Sequence, residues 1–158
     1  MSIKIGFSRI QVTAHVHATE SIKKVKDAFR KLLAVDGDHL QKMLDVQSCE
    51  GDYGTRISII TATIKRKKEV KALIERIARK LPLEHKQAIN DHFMSVSKEE
   101  KIVFLRLDKQ LLHEGEFRIS QSGDILHVAI RIAIYNQTHG ADRRHAVKGF
   151  LLDAGILA

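Results

Sequence analysis

The sequence predicts an α+β fold: a two-layer sandwich with a largely antiparallel sheet and helices on one face. Three observations predict it. Residues 10–17 and 125–135 alternate apolar and polar side chains in steps of two. Residues 22–33 and 67–81 repeat apolar residues at helical spacing. Glycine-bearing turns, "EGDYG" and "QSGD", join neighbouring strand segments, as hairpins require.

The elements follow in order. Ile3, Ile5 and Phe7 alternate in one phase, whereas Ile10, Val12, Ala14 and Val16 alternate in the other, so a bulge is expected near Ser8–Arg9. Thr19 is the expected N-cap of the first helix, with Glu20 near its positive end. Ile22, Val25, Phe29, Leu32 and Leu33 form that helix's apolar stripe. Residues 34–39, "AVDGDH", read as a loop, and strands are expected at 42–49 and 55–65. Val70, Leu73, Ile74, Ile77 and Leu81 mark a helix over 67–81, and a connecting helix over 83–94 begins after the only proline, Pro82. Then come a strand over 101–107, a short helix over 108–114 stopped by Gly115, strands over 116–120 and 125–135, and a last helix over 141–153. The order strand–helix–strand–strand–helix is thus followed, after a connecting helix, by much the same order again.

Composition narrows the functional classes. The chain has 158 residues, 44% hydrophobic and 29% charged, which suits one globular domain over residues 1–158. No apolar run approaches the roughly 20 residues of a membrane-spanning helix, so no membrane partner is expected. The start "MSIKIGFSRI" lacks a long apolar signal segment, and a cytoplasmic protein is expected. Cys49 is the only cysteine, which excludes an internal disulfide and a cysteine-built zinc site. A net charge of +8 favours a polyanionic partner.

If helices cover one face, the other is open, and alternation says what it carries. Strand 10–17 presents Gln11, Thr13, His15 and His17, and strand 125–135 presents His127, Arg131 and Tyr135. Strand 116–120 presents Glu116, Arg118 and Ser120, with Arg106 beside them. Arginines, histidines and hydroxyls suit phosphates, riboses and base edges. Water alone also makes an open face polar, and a second copy of the chain is another candidate occupant.

Other clusters carry weaker signals. In "FLRLDKQ", Asp108 stands where an N-cap belongs, and Arg106 and Lys109 flank it where a phosphate would lie. Lys65, Arg66, Lys67 and Lys68 open a helix, where cations oppose the dipole. Arg143, Arg144, His145 and Lys148 form a second basic group on the last helix. Tyr53 is a candidate stacking ring in the "EGDYG" turn, while only Tyr135 is expected on the sheet face. His15 with His17, and Asp36, Asp38 with His39, are spaced to reach an ion, yet no second convergent cluster accompanies them. No metal, cofactor or catalytic residue is therefore expected, and a metal-dependent nuclease is the least favoured reading.

Three stretches, "VHATE" at 16–20, "EGDYGTRI" at 50–57 and "LRLDKQ" at 105–110 followed by Gly115, carry a resemblance. The chain resembles the archaeal family of small RNA-binding-domain proteins described as predicted exosome subunits, whose fold looks like ribosomal large-subunit protein five. The resemblance implies RNA as partner and association with subunits of RNA-processing machinery. It assigns no catalytic residue. The expected nucleic-acid contacts are Lys65, Arg66, Lys67, Lys68, Arg106, Lys109, Arg118, Arg131, His15 and His17.

Overall fold

Strand alternation and helical stripes place the apolar residues on one side of each element. A computed structural model describes residues 4–51, 54–96, 102–120, 123–135 and 140–158, with the side chains of 92–96 and 140–144 left aside. The elements run β1 (Ile5–Val16), α1 (Ile22–Leu33), α2 (Gly37–Met43), β2 (Leu44–Glu50), β3 (Arg56–Ile64), α3 (Lys67–Lys80), α4 (Leu83–Val96), β4 (Ile102–Asp108), α5 (Lys109–His113), β5 (Ile125–Ile134) and α6 (Gly140–Asp153). The strands form one five-stranded sheet in the order β2-β3-β1-β5-β4. The fold is α+β with a largely antiparallel open sheet, as expected. β2 and β3 form an antiparallel hairpin from Leu44↔Ala62 to Glu50↔Arg56.

The chain divides into two compact units. One comprises Gln11–Ile64 and Arg106–Val128. Its core unites Val12, Ala14 and Val16 of β1, Ile60 and Ala62 of β3, and Leu126 and Val128 of β5 with the α1 stripe of Val25, Phe29 and Leu32. Burying a side chain such as Phe29, fully enclosed here, contributes about 1.5–3 kcal/mol. α1 starts at Ser21, whose Oγ accepts from the Lys24 N–H at 3.4 Å. Thr19 is not the cap. Glu20 instead folds back, its Oε1 accepting from the His17 N–H at 3.2 Å, so the chain reaches helical geometry only after this turn. Residues 37–43 form α2 rather than a loop. Leu40 alone is buried there, leaving no stripe for periodicity to reveal.

The other unit comprises Met1–Ile10, Lys65–Leu105 and Ala129–Ala158. The α3 stripe of Val70, Leu73, Ile74 and Ile77 is buried, as are Val147 and Leu151 of α6 and Ile130 and Ile132 of β5. The Tyr135 N–H donates to the Lys4 carbonyl at 2.9 Å and the Ser8 hydroxyl to the Arg131 carbonyl at 3.4 Å. Position rises along β1 as it falls along β5, so the two are antiparallel. The Phe7 ring meets Phe150 of α6 with centroids 4.7 Å apart. Ile10 is also fully buried. An odd and an even position of one strand thus face inward, which strict alternation forbids. The phase change falls at Ser8–Arg9, where the bulge is expected.

After α5 the expected strand 116–120 shrinks to a single bridge, Leu107↔Ile119. Gly115, at φ 91°, turns the chain back along the end of β4, where the Asp108 N–H donates to the Arg118 carbonyl and the Ser120 N–H to the Arg106 carbonyl. Ser120 is buried there, not presented, because alternation does not persist past so short a pairing.

Candidate nucleic-acid interface

Within the unit of Gln11–Ile64 and Arg106–Val128, the face opposite the core carries Gln11, Thr13 and His15 of β1, His127 of β5 and Arg106 of β4. Gln11, His15 and Arg106 are exposed, and Thr13 and His127 are half-buried. Thr13, His15, Gly123, Ile125 and His127 line a depression of about 330 Å³. Arg106 lies close enough to His127 to affect its titration. Burial first, and then the Arg106 charge, hold the His127 imidazole below its usual 6.5. His127 is therefore neutral at pH 7, and Arg106 is the fixed cation of this face.

The neighbouring carboxylates are occupied elsewhere, and Lys109 is the reason. Its side chain is 4% exposed. Nζ donates to the His15 carbonyl at 2.7 Å, to Glu20 Oε2 at 2.9 Å and lies 2.9 Å from Asp124 Oδ1. An ammonium has three hydrogens, and three groups receive them. Asp124 responds as expected. Burial, the largest influence, would raise its carboxyl, but the hydrogen bond and charge of Lys109, with Gln110 and His17, bring it below the usual 3.8. Lys109 thus ties together the end of β1, the turn before α1 and the loop before β5. Its expected place among the phosphate contacts is corrected: burial and three internal acceptors leave it no hydrogen for a ligand.

Asp108 caps α5, its Oδ1 accepting from the Leu111 N–H at 3.0 Å. Behind it, His113 Nδ1 stands 2.7 Å from Asp27 Oδ2, joining α5 to α1. The charged corner of "FLRLDKQ" is therefore largely architectural, with Arg106 as its outward-facing member.

A family model described as RNA binding matches residues 9–134. The chain belongs to this RNA-binding family. It is 26% identical over 135 residues to the RNA-binding protein PAB1135 of Pyrococcus abyssi, covering 85% of this chain and 88% of that one. Two solved structures share the fold. Protein AF2318 from Archaeoglobus fulgidus has a TM-score of 0.75 at 22% identity, covering 94% of this chain and 99% of that one. Mth689 of Methanothermobacter thermautotrophicus has a TM-score of 0.71 at 21% identity, covering 97% and 98%.

In this member of the RNA-binding family the remaining expected residues fall into separate groups. Lys65, Arg66, Lys67 and Lys68 are all exposed around the start of α3. Arg66 occupies the N-cap position without a side-chain cap bond, so that helix begins among cations. Arg131 is exposed on β5. Arg118 is exposed but leans toward Glu116 at 3.6 Å. His17 is exposed, its Nε2 3.9 Å from Glu20, which places it in the Lys109 network rather than on the open face. Tyr53 and the side chains of Arg143 and Arg144 lie outside the described residues.

One aromatic escaped the sequence reading. Phe104 is 56% exposed, so Tyr135, 60% exposed, is not the sole ring outside the core. Val103, Leu105 and Leu107 of β4 are buried, and alternation sets Phe104 and Arg106 on the opposite side of that strand. Counting Phe104 as one more member of an apolar run hid it. Tyr135 lies over Gly6, where an added Cβ would stand 3.4 Å from its ring, with Lys4 Nζ 5.9 Å from the ring centroid.

Among the described residues, no group of three or more His, Cys, Asp or Glu converges to hold a metal ion. No described helix is long and apolar enough to cross a membrane.

Proposed function

We propose that this protein binds RNA without chemical turnover, gripping phosphates through arginine and lysine while hydroxyl, amide and imidazole groups of the open sheet face reach riboses and base edges. The observation that carries this reading is the pairing of a fixed cation, Arg106, with neutral polar groups on a face whose adjacent carboxylates are held by Lys109. The matched family region, residues 9–134, contains all of these groups, and the Pyrococcus relative is itself named an RNA-binding protein. His15 and Arg118 add to the interface, and Arg131, in the other unit, is a separate candidate phosphate contact. Lys65 to Lys68 supply a further phosphate-binding surface, and His17 orders the turn before α1. Exposed Phe104 and Tyr135 offer faces for base stacking. The role in the cell is that of an accessory factor to RNA processing, with an exosome-type assembly as candidate partner.

Titration of labelled single-stranded and duplex RNA at two salt concentrations tests the reading. Affinity falls steeply with salt if phosphates are neutralised. A salt-insensitive dimer with no RNA affinity, seen by light scattering, overturns it in favour of a protein-interaction subunit. Prolonged incubation with magnesium or manganese leaves the RNA intact; cleavage abolished by His15 and Asp38 substitutions would instead indicate a nuclease.

A further inference from the structure

We infer that the depression between Thr13 and His127 is a ribonucleoside subsite, which selects RNA over DNA by bonding the ribose 2′-hydroxyl. This rests on the RNA-binding reading above and names what one part of that face recognises. Size agrees: about 330 Å³ lies at the lower end of the roughly 300–1,000 Å³ of small-ligand sites. The lining agrees better. Thr13 supplies a hydroxyl, His15 and His127 supply imidazoles, and Ile125 supplies an apolar wall. Among the described residues, no carboxylate and no lysine or arginine lines it. Such a cup suits the uncharged part of a nucleotide, with its flat heterocycle and its hydroxyls, and is poorly suited to the phosphate.

The phosphate has a separate partner on the same face. Arg106 is exposed and electrostatically coupled to His127, so a strand seated in the cup would bring a backbone phosphate toward the guanidinium. Burial and the same arginine keep His127 neutral. The Thr13 hydroxyl, in the same lining, can both donate and accept. A 2′-hydroxyl is likewise both donor and acceptor, and it is the group that distinguishes RNA from DNA.

Gly123 makes the proposal testable. It lines the depression, needs no positive φ, and a Cβ added there meets no atom within 4 Å. A side chain at this position enters open space rather than the protein. Gly123→Val fills the subsite, and Thr13→Val removes its hydroxyl at nearly constant shape. The full-length chain is titrated by fluorescence anisotropy with a short mixed-sequence RNA and with an all-deoxy oligonucleotide of identical bases, uracil included. The expected result is a preference of the unaltered protein for RNA. Thr13→Val should weaken RNA binding about three- to tenfold, the scale of a lost hydrogen bond, with deoxy binding and the salt slope unchanged, whereas Gly123→Val should weaken both oligonucleotides and abolish the preference for RNA. Because one variant fills and the other deletes, a folding defect in either, seen as a lowered urea midpoint, leaves the other to decide. Equal affinity for both oligonucleotides, or RNA binding unaffected by both variants, overturns the subsite and leaves the RNA-binding reading standing. No RNA binding by the unaltered protein overturns both.

Discussion

Arg106 and Lys109 belong to the same charged corner, and their fates are opposite. Arg106 ends the outward alternation of β4 and stands in solvent. Lys109 begins α5, and its side chain runs inward to Glu20, Asp124 and the His15 carbonyl. The difference shows that proximity in sequence says little about what a charge does; the acceptors it meets decide. A cation whose hydrogens are all used internally organises the fold. A cation beside neutral polar groups is available to a ligand. The two are linked, because Lys109 neutralises Glu20 and Asp124, two carboxylates that would repel a polyanion.

Removing Lys109 tests the architectural half and should have the largest effect. Lys109→Met leaves Glu20 and Asp124 without their cation, and breaking a fully buried pair costs about 3–5 kcal/mol. Asp124 is 41% exposed and Glu20 19%, so solvent recovers part of that cost and a loss of about 2–3 kcal/mol is expected by urea denaturation. The loss should depend on pH. The Asp124 carboxyl is lowered in the fold, so its contribution is fully present above the unfolded value and disappears as pH falls through the lowered one. The gap between the two proteins therefore narrows below about pH 4. A gap constant down to acid unfolding would show that lost packing, not the ion pairs, explains the destabilisation.

Asp108→Ala tests the same corner on a smaller scale. The cap bond to the Leu111 N–H is worth about 1 kcal/mol, so a loss of that size is expected, with RNA affinity unchanged at a temperature where both proteins are folded. Affinity lost without stability would move Asp108 from the architecture to the interface.

The legibility of these features in the sequence follows the range of the forces behind them. β1 and β5 were readable because each buries alternate residues, and α1 and α3 because each buries a stripe. The change of phase near Ser8–Arg9 was likewise readable, with Phe7 meeting Phe150 and Ile10 fully buried. The Asp108 cap was readable because its partner, Leu111, lies in the next turn. Lys109 was not, since its acceptors lie far away in sequence. The cup of Thr13, His15, Gly123 and His127 was half-legible: strand phase put the polar residues on the open face, but the pairing of β1 with β5 belongs to tertiary structure. Phe104 was hidden by its own hydrophobicity.

The available cations remain to be ranked. Arg106→Ala should leave stability within about 0.5 kcal/mol, as for an exposed residue, yet reduce the slope of log affinity against log salt by about 1, the mark of one lost phosphate contact. An unchanged slope would remove Arg106 from the interface and shift attention to α3.

At α3 the sign of the expected effect is more telling than its size. Lys67 and Lys68 occupy the first turn, where the helix dipole disfavours positive charge. Lys67→Glu reverses that interaction and should raise stability by about 0.3–1 kcal/mol, while weakening RNA binding through lost attraction and new repulsion. Opposite signs in the two measurements would mean that the cation works against the helix and for the ligand, which is what a binding surface requires. If stability rises and affinity stays the same, Lys67 lies outside the RNA contact, and the open face around Arg106 carries the affinity.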